Sequence, residues 1–341
     1  TPADLAGVKS GDVILKVDGH STANMNLQDA VEKMRGPKGS KVVLTIGREN
    51  SPEPIVFTLI RDIIKIQSVK SKMLEQGIGY IRISQFQEHT SRDTERALKK
   101  LKEEKMQSLI IDLRNNPGGL LTSAVEISEQ FLEPGKLIVS IKGRDEKKEE
   151  YSSNGPADQS NYPMIILVNE GSASASEIVS GALQDWGRAV VVGIQTFGKG
   201  SVQTILPLSD GSGLRLTTAK YYTPKGRSIQ NIGIDPDIVV KPPALKDAKG
   251  MVINRPVLRE KDLERHLRNE TAKEPEKDPT PLPAVEENFL VPDDKKEVED
   301  VQLQKAVELL KSWKIFKQLI PPAVAGKNSD TTGKKEVLTG K

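Results

Sequence analysis

The sequence predicts an α/β protein with a substantially parallel sheet, preceded by a small β-rich segment and followed by a polar tail that ends in a helix. Three observations carry that reading. Between residues 78 and 222, short apolar β-rich runs alternate with amphipathic helical segments, the pattern of parallel strands joined by crossover helices. Residues 1–62 differ in texture, reading as short strands around one helix. Beyond about residue 241 the apolar periodicity weakens, and 268–300 carries Pro275, Pro279, Pro281, Pro283 and Pro292 among dense charges, as in a solvated linker.

Taken in order, GDVILKVDG over Gly11–Gly19 alternates Val13, Leu15 and Val17 against Ile14 and Lys16 between glycine turns, a strand signal. Leu27, Ala30, Val31 and Met34 recur at helical spacing over Asn26–Arg35 and stop at the breaker GPKGS. Lys41–Gly47 and Ile55–Ile60 are two more β-rich runs. Residues 78–84 are strand-like and precede a charged helix over Arg92–Glu104. SLIIDLR (108–114) reads as a buried strand, followed by NNPGGLL and a helix near Leu121–Leu132. IILV (165–168) leads through GSASAS to a helix over Ala175–Trp186. AVVVG (189–193) and runs near 202–208 and 214–222 complete the strands. A last helix over 301–320 aligns Leu303, Val307, Leu310, Trp313 and Phe316 in one stripe, which must bury against its own core or another subunit. The expected partition is therefore 1–62, a core over 63–240, a linker over 241–300, the helix 301–320 and a disordered tail 321–341.

Composition removes several functions. Among 341 residues there is no cysteine, which excludes disulfide scaffolds, thiolate nucleophiles and Cys-ligated metal sites. Three histidines, His20, His89 and His266, are too few and too scattered for a metal site. With 50 basic against 47 acidic residues, the net charge of +3 makes no electrostatic case for nucleic acid or an acidic membrane. No apolar run approaches the roughly 20 residues of a spanning helix. The opening TPADLAGVKSGD reads as the middle of a domain, so the chain is expected to be a fragment and the missing signal peptide is uninformative.

The densest chemical signal is NEGSASASEIVSGALQDW (169–186). Small residues between a strand and a helix leave a serine at the helix N-terminus, beside N–H groups able to hold an oxyanion. A bland alternative stands beside it: Ser174 and Glu177 fit an S-x-x-E capping box, and capping alone would account for both. No G-x-S-x-G elbow is present, and no histidine lies nearby for a triad. In GIQTFGKGSVQ (193–203), Gly193, Gly198 and Lys199 match most of a phosphate loop. Gly200 stands where Ser or Thr should hold magnesium, however, and a strand-like run follows instead of a helix, so the nucleotide reading is rejected. Lys199 is either a turn lysine or a general base. As a base it must be neutral, which at an ordinary pKa costs roughly 4–5 kcal/mol at pH 7 unless burial lowers it. In DLRNNPGGLL (112–121), Gly118 and Gly119 either make a turn or present bare N–H groups to a substrate carbonyl.

Together the blocks SGDVILKVDG, GYIRISQF, DLRNNPGGLL, NEGSASASEI, TFGKGSVQ and TTAKYYTPKGRSIQNIGIDPD (217–237) resemble the C-terminal processing, or tail-specific, proteases in order and spacing. The resemblance covers about 70% of the chain, from Thr1 to about Val240. It implies a PDZ domain over 1–62, mostly β with one helix and truncated at its N-terminus. This joins an α/β core related to the crotonase and Clp-protease folds, with a C-terminal helical tail. It implies a serine–lysine dyad with Ser174 as nucleophile, Lys199 as base and Gln203 orienting the lysine. The N–H of Ala175 with one from Gly118 or Gly119, preferably Gly119, would form the oxyanion hole. Arg35 matches an arginine that couples tail binding to the dyad in some members; the bland alternative is a solvated helix-end arginine. No cofactor or metal is implied.

The implied activity is a serine endopeptidase that works outside the cytoplasm, in the bacterial periplasm, and cuts extracytoplasmic proteins near apolar unstructured C-termini. Protein tails, an adaptor protein and further copies of the chain are its implied partners. The carboxylate-cradling loop of such a PDZ domain and the N-terminal assembly helices would precede Thr1. Two rivals remain at this point: a non-catalytic PDZ adaptor on an inert core, and a crotonase-type acyl-CoA enzyme sharing the backbone oxyanion logic.

Overall fold

The computed structural model describes residues 1–9, 11–48, 51–64, 67–143, 147–155, 162–243, 258–263, 267 and 300–319. Most of the expected linker, the tail 321–341 and His266 lie outside the described residues. Two units are present, one over Thr1–Gln67 and one taking in Ser68–Lys273 and the chain from Asp300.

The first unit contains α1 (Pro2–Leu5), β1 (Val13–Val17), β2 (His20–Ser21), α2 (Leu27–Met34), β3 (Lys41–Gly47) and β4 (Ile55–Ile60). Its antiparallel sheet runs β2-β1-β3-β4. Val42, Leu44 and Ile46 alternate inward along β3 and meet Val17 and Leu59, the period-two burial of a half-covered sheet. Asn26 starts α2 by accepting the Asp29 N–H at 2.9 Å. Arg35 ends it in an extended conformation and lies exposed.

The second unit contains β5 (Val69–Met73), β6 (Ile78–Ile83), α3 (Thr90–Glu103), β7 (Ser108–Asp112), α4 (Leu121–Glu129), β8 (Leu137–Gly143), β9 (Lys148–Ser152), β10 (Met164–Val168), α5 (Ala175–Asp185), β11 (Val190–Gly193), β12 (Ser201–Pro207), β13 (Gly213–Tyr222), β14 (Ile238–Val239) and α6 (Val301–Leu319). Its main sheet runs β14-β11-β10-β7-β6-β5, parallel throughout except for the β5–β6 edge pair. β7 and β10 are buried at every position, which explains their unbroken apolar sequence. One face of the sheet packs under α3, α4 and α5 through Leu101, Ile111, Ile127, Ile166 and Leu183. The other face, with Tyr80, Ile110, Ile165 and Leu167, is covered by Ala306 and Leu310 of α6. The C-terminal stripe thus docks on its own core over its first half, while Trp313 and Phe316 stay 55% and 61% exposed. No described helix is long and apolar enough to cross a membrane.

A second, antiparallel sheet runs β12-β13-β8-β9. The sequence pattern did not indicate β9. Its KEEYS sequence has no apolar alternation and becomes a strand by pairing with β8.

Candidate active site

Ser174 sits where a buried strand gives way to a buried helix. It is the N-cap of α5, held at φ 54 and ψ −111, a left-handed φ that non-glycine residues seldom adopt. The SASAS serines divide their work. Ser172 donates its hydroxyl to the Leu113 carbonyl at 2.8 Å and Ser176 donates to the Asn116 carbonyl at 2.9 Å. Both are fully buried and stitch the turn onto the end of β7. Ser174, between them, is half-buried and its hydroxyl makes no helix-capping bond.

The reason for that arrangement is Glu177. Its Oε2 accepts the Ser174 N–H at 2.7 Å, the backbone half of a capping box. The same Oε2 accepts the Lys199 N–H at 2.9 Å, while Oε1 accepts the Gly198 N–H at 2.7 Å and the Thr196 hydroxyl at 2.6 Å. A cap accounts for one of these four bonds; the other three hold the lysine segment against the serine turn. Glu177 is fully buried. Burial pushes its carboxyl up to about 7, against four hydrogen bonds that favour the ionised form.

The Gly198 and Lys199 amides are thus turned onto a carboxylate, and β12 follows, so this segment is not built to cradle a phosphate. Gly200 lies so close to Gln230 that an added Cβ would come within 2.3 Å of its main-chain nitrogen. The Gly200 N–H is taken by Gln230 Oε1 at 3.0 Å. Lys199 is half-buried. Gln203 is exposed on β12 beside a bulge at Val202/Gln203, and its side chain makes no hydrogen bond among the described residues.

The NNPGG loop closes the site from the other side. Asn116, fully buried, donates to the Ile83 carbonyl at 2.8 Å and accepts the Gly118 N–H on Oδ1 at 2.9 Å. Its carbonyl accepts the Ala173 N–H at 3.0 Å. At Gly118 (φ +99) an added Cβ would lie 2.9 Å from Ser174 Cβ; at Gly119 (φ +145) it would lie 2.0 Å from the Phe86 carbonyl oxygen. Only glycine allows either approach. With the Gly118 N–H already used, the N–H groups of Gly119 and Ala175 are the two near Ser174 that have no acceptor among the described residues.

Beneath this loop, buried Asp112 accepts from the Tyr80 hydroxyl at 2.7 Å and pairs with Arg82 (3.3 Å) and Arg114 (2.7 Å). Arg114 reaches on to Asp300 at 2.7 Å, and Asp300 accepts the Leu303 N–H at the start of α6. Sequence reasoning did not single out Asn116, Thr196, Gln230 or Asp300. Asn116, Thr196 and Gln230 lie inside the NNPGG, TFGKGSVQ and 217–237 blocks that carry the resemblance, and Asp300 stands directly before the C-terminal helix, a position where aspartate caps. Arg35 belongs to the first unit, at the end of α2.

Comparison with known proteins supplies a family. The model of peptidase family S41 matches residues 77–240, and that of the PDZ domain matches residues 1–48. The chain is 44% identical over 329 residues to a carboxy-terminal-processing protease of Bartonella bacilliformis, covering 94% of this chain and 72% of that protein. It is 42% identical to a carboxyl-terminal-processing protease of Synechocystis and 38% identical to carboxy-terminal processing protease CtpB of Bacillus subtilis. These alignments cover 73% and 75% of this chain, but only 59% and 54% of those relatives. Among solved structures, a photosystem II D1 C-terminal processing protease matches with a TM-score of 0.50 at 34% identity. That match covers 73% of this chain and 68% of the other.

Proposed function

Because this chain belongs to peptidase family S41, with a PDZ domain ahead of a C-terminal-processing serine protease core, we propose that it is an endopeptidase using a Ser174–Lys199 dyad to cut proteins near apolar, unstructured C-termini. The observation that carries the dyad is the shared carboxylate oxygen. Glu177 Oε2 binds the amides of Ser174 and Lys199 together, so the two segments approach each other through a rigid, buried link.

The chemistry follows from the residues. Ser174 Oγ attacks the scissile carbonyl carbon while Lys199 Nζ, neutral at that moment, takes the hydroxyl proton. The carbonyl oxygen becomes an oxyanion held by the N–H groups of Ala175 and Gly119, at the positive end of α5. Gly118 keeps the loop in close contact with Ser174. Collapse of the tetrahedral intermediate breaks the C–N bond, and Lys199 returns its proton to the leaving amine. Water then attacks the acyl-enzyme by the same route, restoring Ser174. Gln203, on β12 four residues beyond Lys199, orients the lysine. The first unit receives the free C-terminus of the substrate as an added strand, with Arg35 coupling that event to the dyad. Substrates lie outside the cytoplasm, in the periplasm, and an adaptor protein and further copies of the chain are partners.

The test is cleavage of casein, a disordered protein, by the wild type and by Ser174→Ala and Lys199→Ala. Loss of cleavage in both variants is expected. Full activity in either would overturn its assigned role.

A further inference from the structure

We propose that β12 aligns the substrate: an extended apolar peptide adds to its open edge, hydrogen-bonds to the main chain at Gln203 and Ile205, and is led from there to Ser174. This rests on the peptidase reading above and concerns how that site selects its substrate.

β12 is the outer strand of the β12-β13-β8-β9 sheet and begins two residues after Lys199. Its register shows which way each residue faces. Thr204 pairs with Leu216, Ile205 with Arg215 and Leu206 with Leu214, and beyond them the Leu208 N–H donates to the Ser212 carbonyl at 2.8 Å. Antiparallel pairs alternate between bonded and non-bonded. The Leu208–Ser212 bond therefore makes Leu206 and Thr204 the bonded positions, and the N–H and C=O groups of Gln203 and Ile205 face away from β13. No strand among the described residues takes them up. Pro207, which has no N–H, falls on the same outward register, where an edge strand tolerates proline. It also ends the template, leaving Gln203 and Ile205 as its rungs.

Free edges are normally guarded by charge against chance pairing. The opposite edge of this sheet is guarded: β9 carries Lys148, Glu149 and Glu150 in succession. β12 reads SVQTILP, with no charge, and Ile205 is 69% exposed. Leu206, Leu214 and Leu216 share the other face of the hairpin and are exposed too. An added peptide would thus meet apolar side chains above and below its main chain. At about 3.3 Å per residue, a peptide along Ser201–Ile205 occupies the first ~15 Å leading away from Lys199. Main-chain bonding makes recognition tolerant of sequence; the apolar flanks give it a hydrophobic bias.

The test uses a fluorescent peptide with an apolar C-terminus and copies of it carrying one backbone N-methyl group at each successive position. Binding is measured to the whole Ser174→Ala protein, and cleavage is measured with the wild type. Because a strand presents its N–H groups alternately, affinity should fall roughly 10-fold or more at every second position and little between. A flat profile, or no binding to the Ser174→Ala protein, would overturn the proposal. Ile205→Pro, which removes an outward N–H while sparing the ladder to β13, should raise KM about 10-fold with kcat nearly unchanged, whereas Ile205→Ala keeps the N–H and should change KM less. Unaltered KM in a folded Ile205→Pro protein would also overturn it. Alternating binding without any wild-type cleavage would leave the alignment standing and sink the peptidase reading instead.

Discussion

The Ser174 and Lys199 backbones are fixed to each other through a single atom: both amides donate to Oε2 of Glu177, at 2.7 and 2.9 Å. Serine and lysine thus share a rigid reference deep in the core, and neither segment can shift without breaking a buried bond. In Glu177→Gln an amide nitrogen, which cannot accept, replaces one of two oxygens that each accept two bonds. Two buried donors then lose a partner at about 1–3 kcal/mol each. The expected result is a stability loss of about 2–5 kcal/mol by urea unfolding. Peptide cleavage should fall about 100-fold or more, because the proposed dyad is misplaced.

Stability and activity should respond to pH in opposite directions. Burial raises the Glu177 carboxyl from 4.5 in its unperturbed state to about 7 in the folded protein. Between those values the folded chain holds a proton that the unfolded chain has released. Stability from this group is therefore greatest below about pH 4.5, falls as pH rises, and levels off above about 7. The slope in that window is at most about 1.4 kcal/mol per pH unit. The clamp needs all its lone pairs, so cleavage should rise as pH passes about 7. Thermal melts of the wild type and Glu177→Gln from pH 5 to 8 check the first point, since the variant should lack this slope. A pH–rate profile checks the second.

Gly119 leaves no room for a side chain: a Cβ would sit 2.0 Å from the Phe86 carbonyl oxygen. Gly119→Ala should move the N–H away from the proposed oxyanion hole and lower kcat by about 10²–10³-fold, the usual effect of losing one oxyanion donor. Asn116→Ala acts differently, freeing the Gly118 N–H and the Ile83 carbonyl together. It should destabilise the fold by about 2–4 kcal/mol as well as slow cleavage. Denaturant unfolding measured alongside kcat separates the two cases.

The C-terminal helix should prove part of the catalytic unit. Asp300 caps α6 and binds Arg114, which also holds Asp112 at the base of the NNPGG loop. Burial works to raise the Asp300 carboxyl, but Arg114 and the Leu303 N–H hold it below its ordinary value. Its contribution to stability is accordingly present at neutral pH and lost as pH falls through that lowered value. Asp300→Ala should remove this acid-side dependence and destabilise by about 1–3 kcal/mol. Leu310→Ala, at a buried position, should cost about 2–4 kcal/mol. Trp313→Ala, at a position more than half exposed, should change stability by less than about 1 kcal/mol. Urea midpoints rank all three.

The α/β class, the position of Ser174 at a strand–helix turn and the glycines of NNPGG were all legible in the sequence. Each depends on neighbours close along the chain: apolar periodicity, small residues at a tight turn, a cap three residues away. Resemblance to a known family then joined the serine and lysine blocks. Tertiary structure alone decided the rest. Glu177 reads locally as a capping residue, and its role as a clamp depends on Thr196, Gly198 and Lys199, 19 to 22 residues onward. The C-terminal stripe left its partner open, and packing resolved it by docking half the helix on the sheet through Ala306 and Leu310. Asp300 meets Arg114 across 186 residues. Local pattern determines which elements form, because capping and periodicity act within a turn or two. Which buried carboxylate meets which amide depends on how those elements pack, and no short-range pattern encodes that.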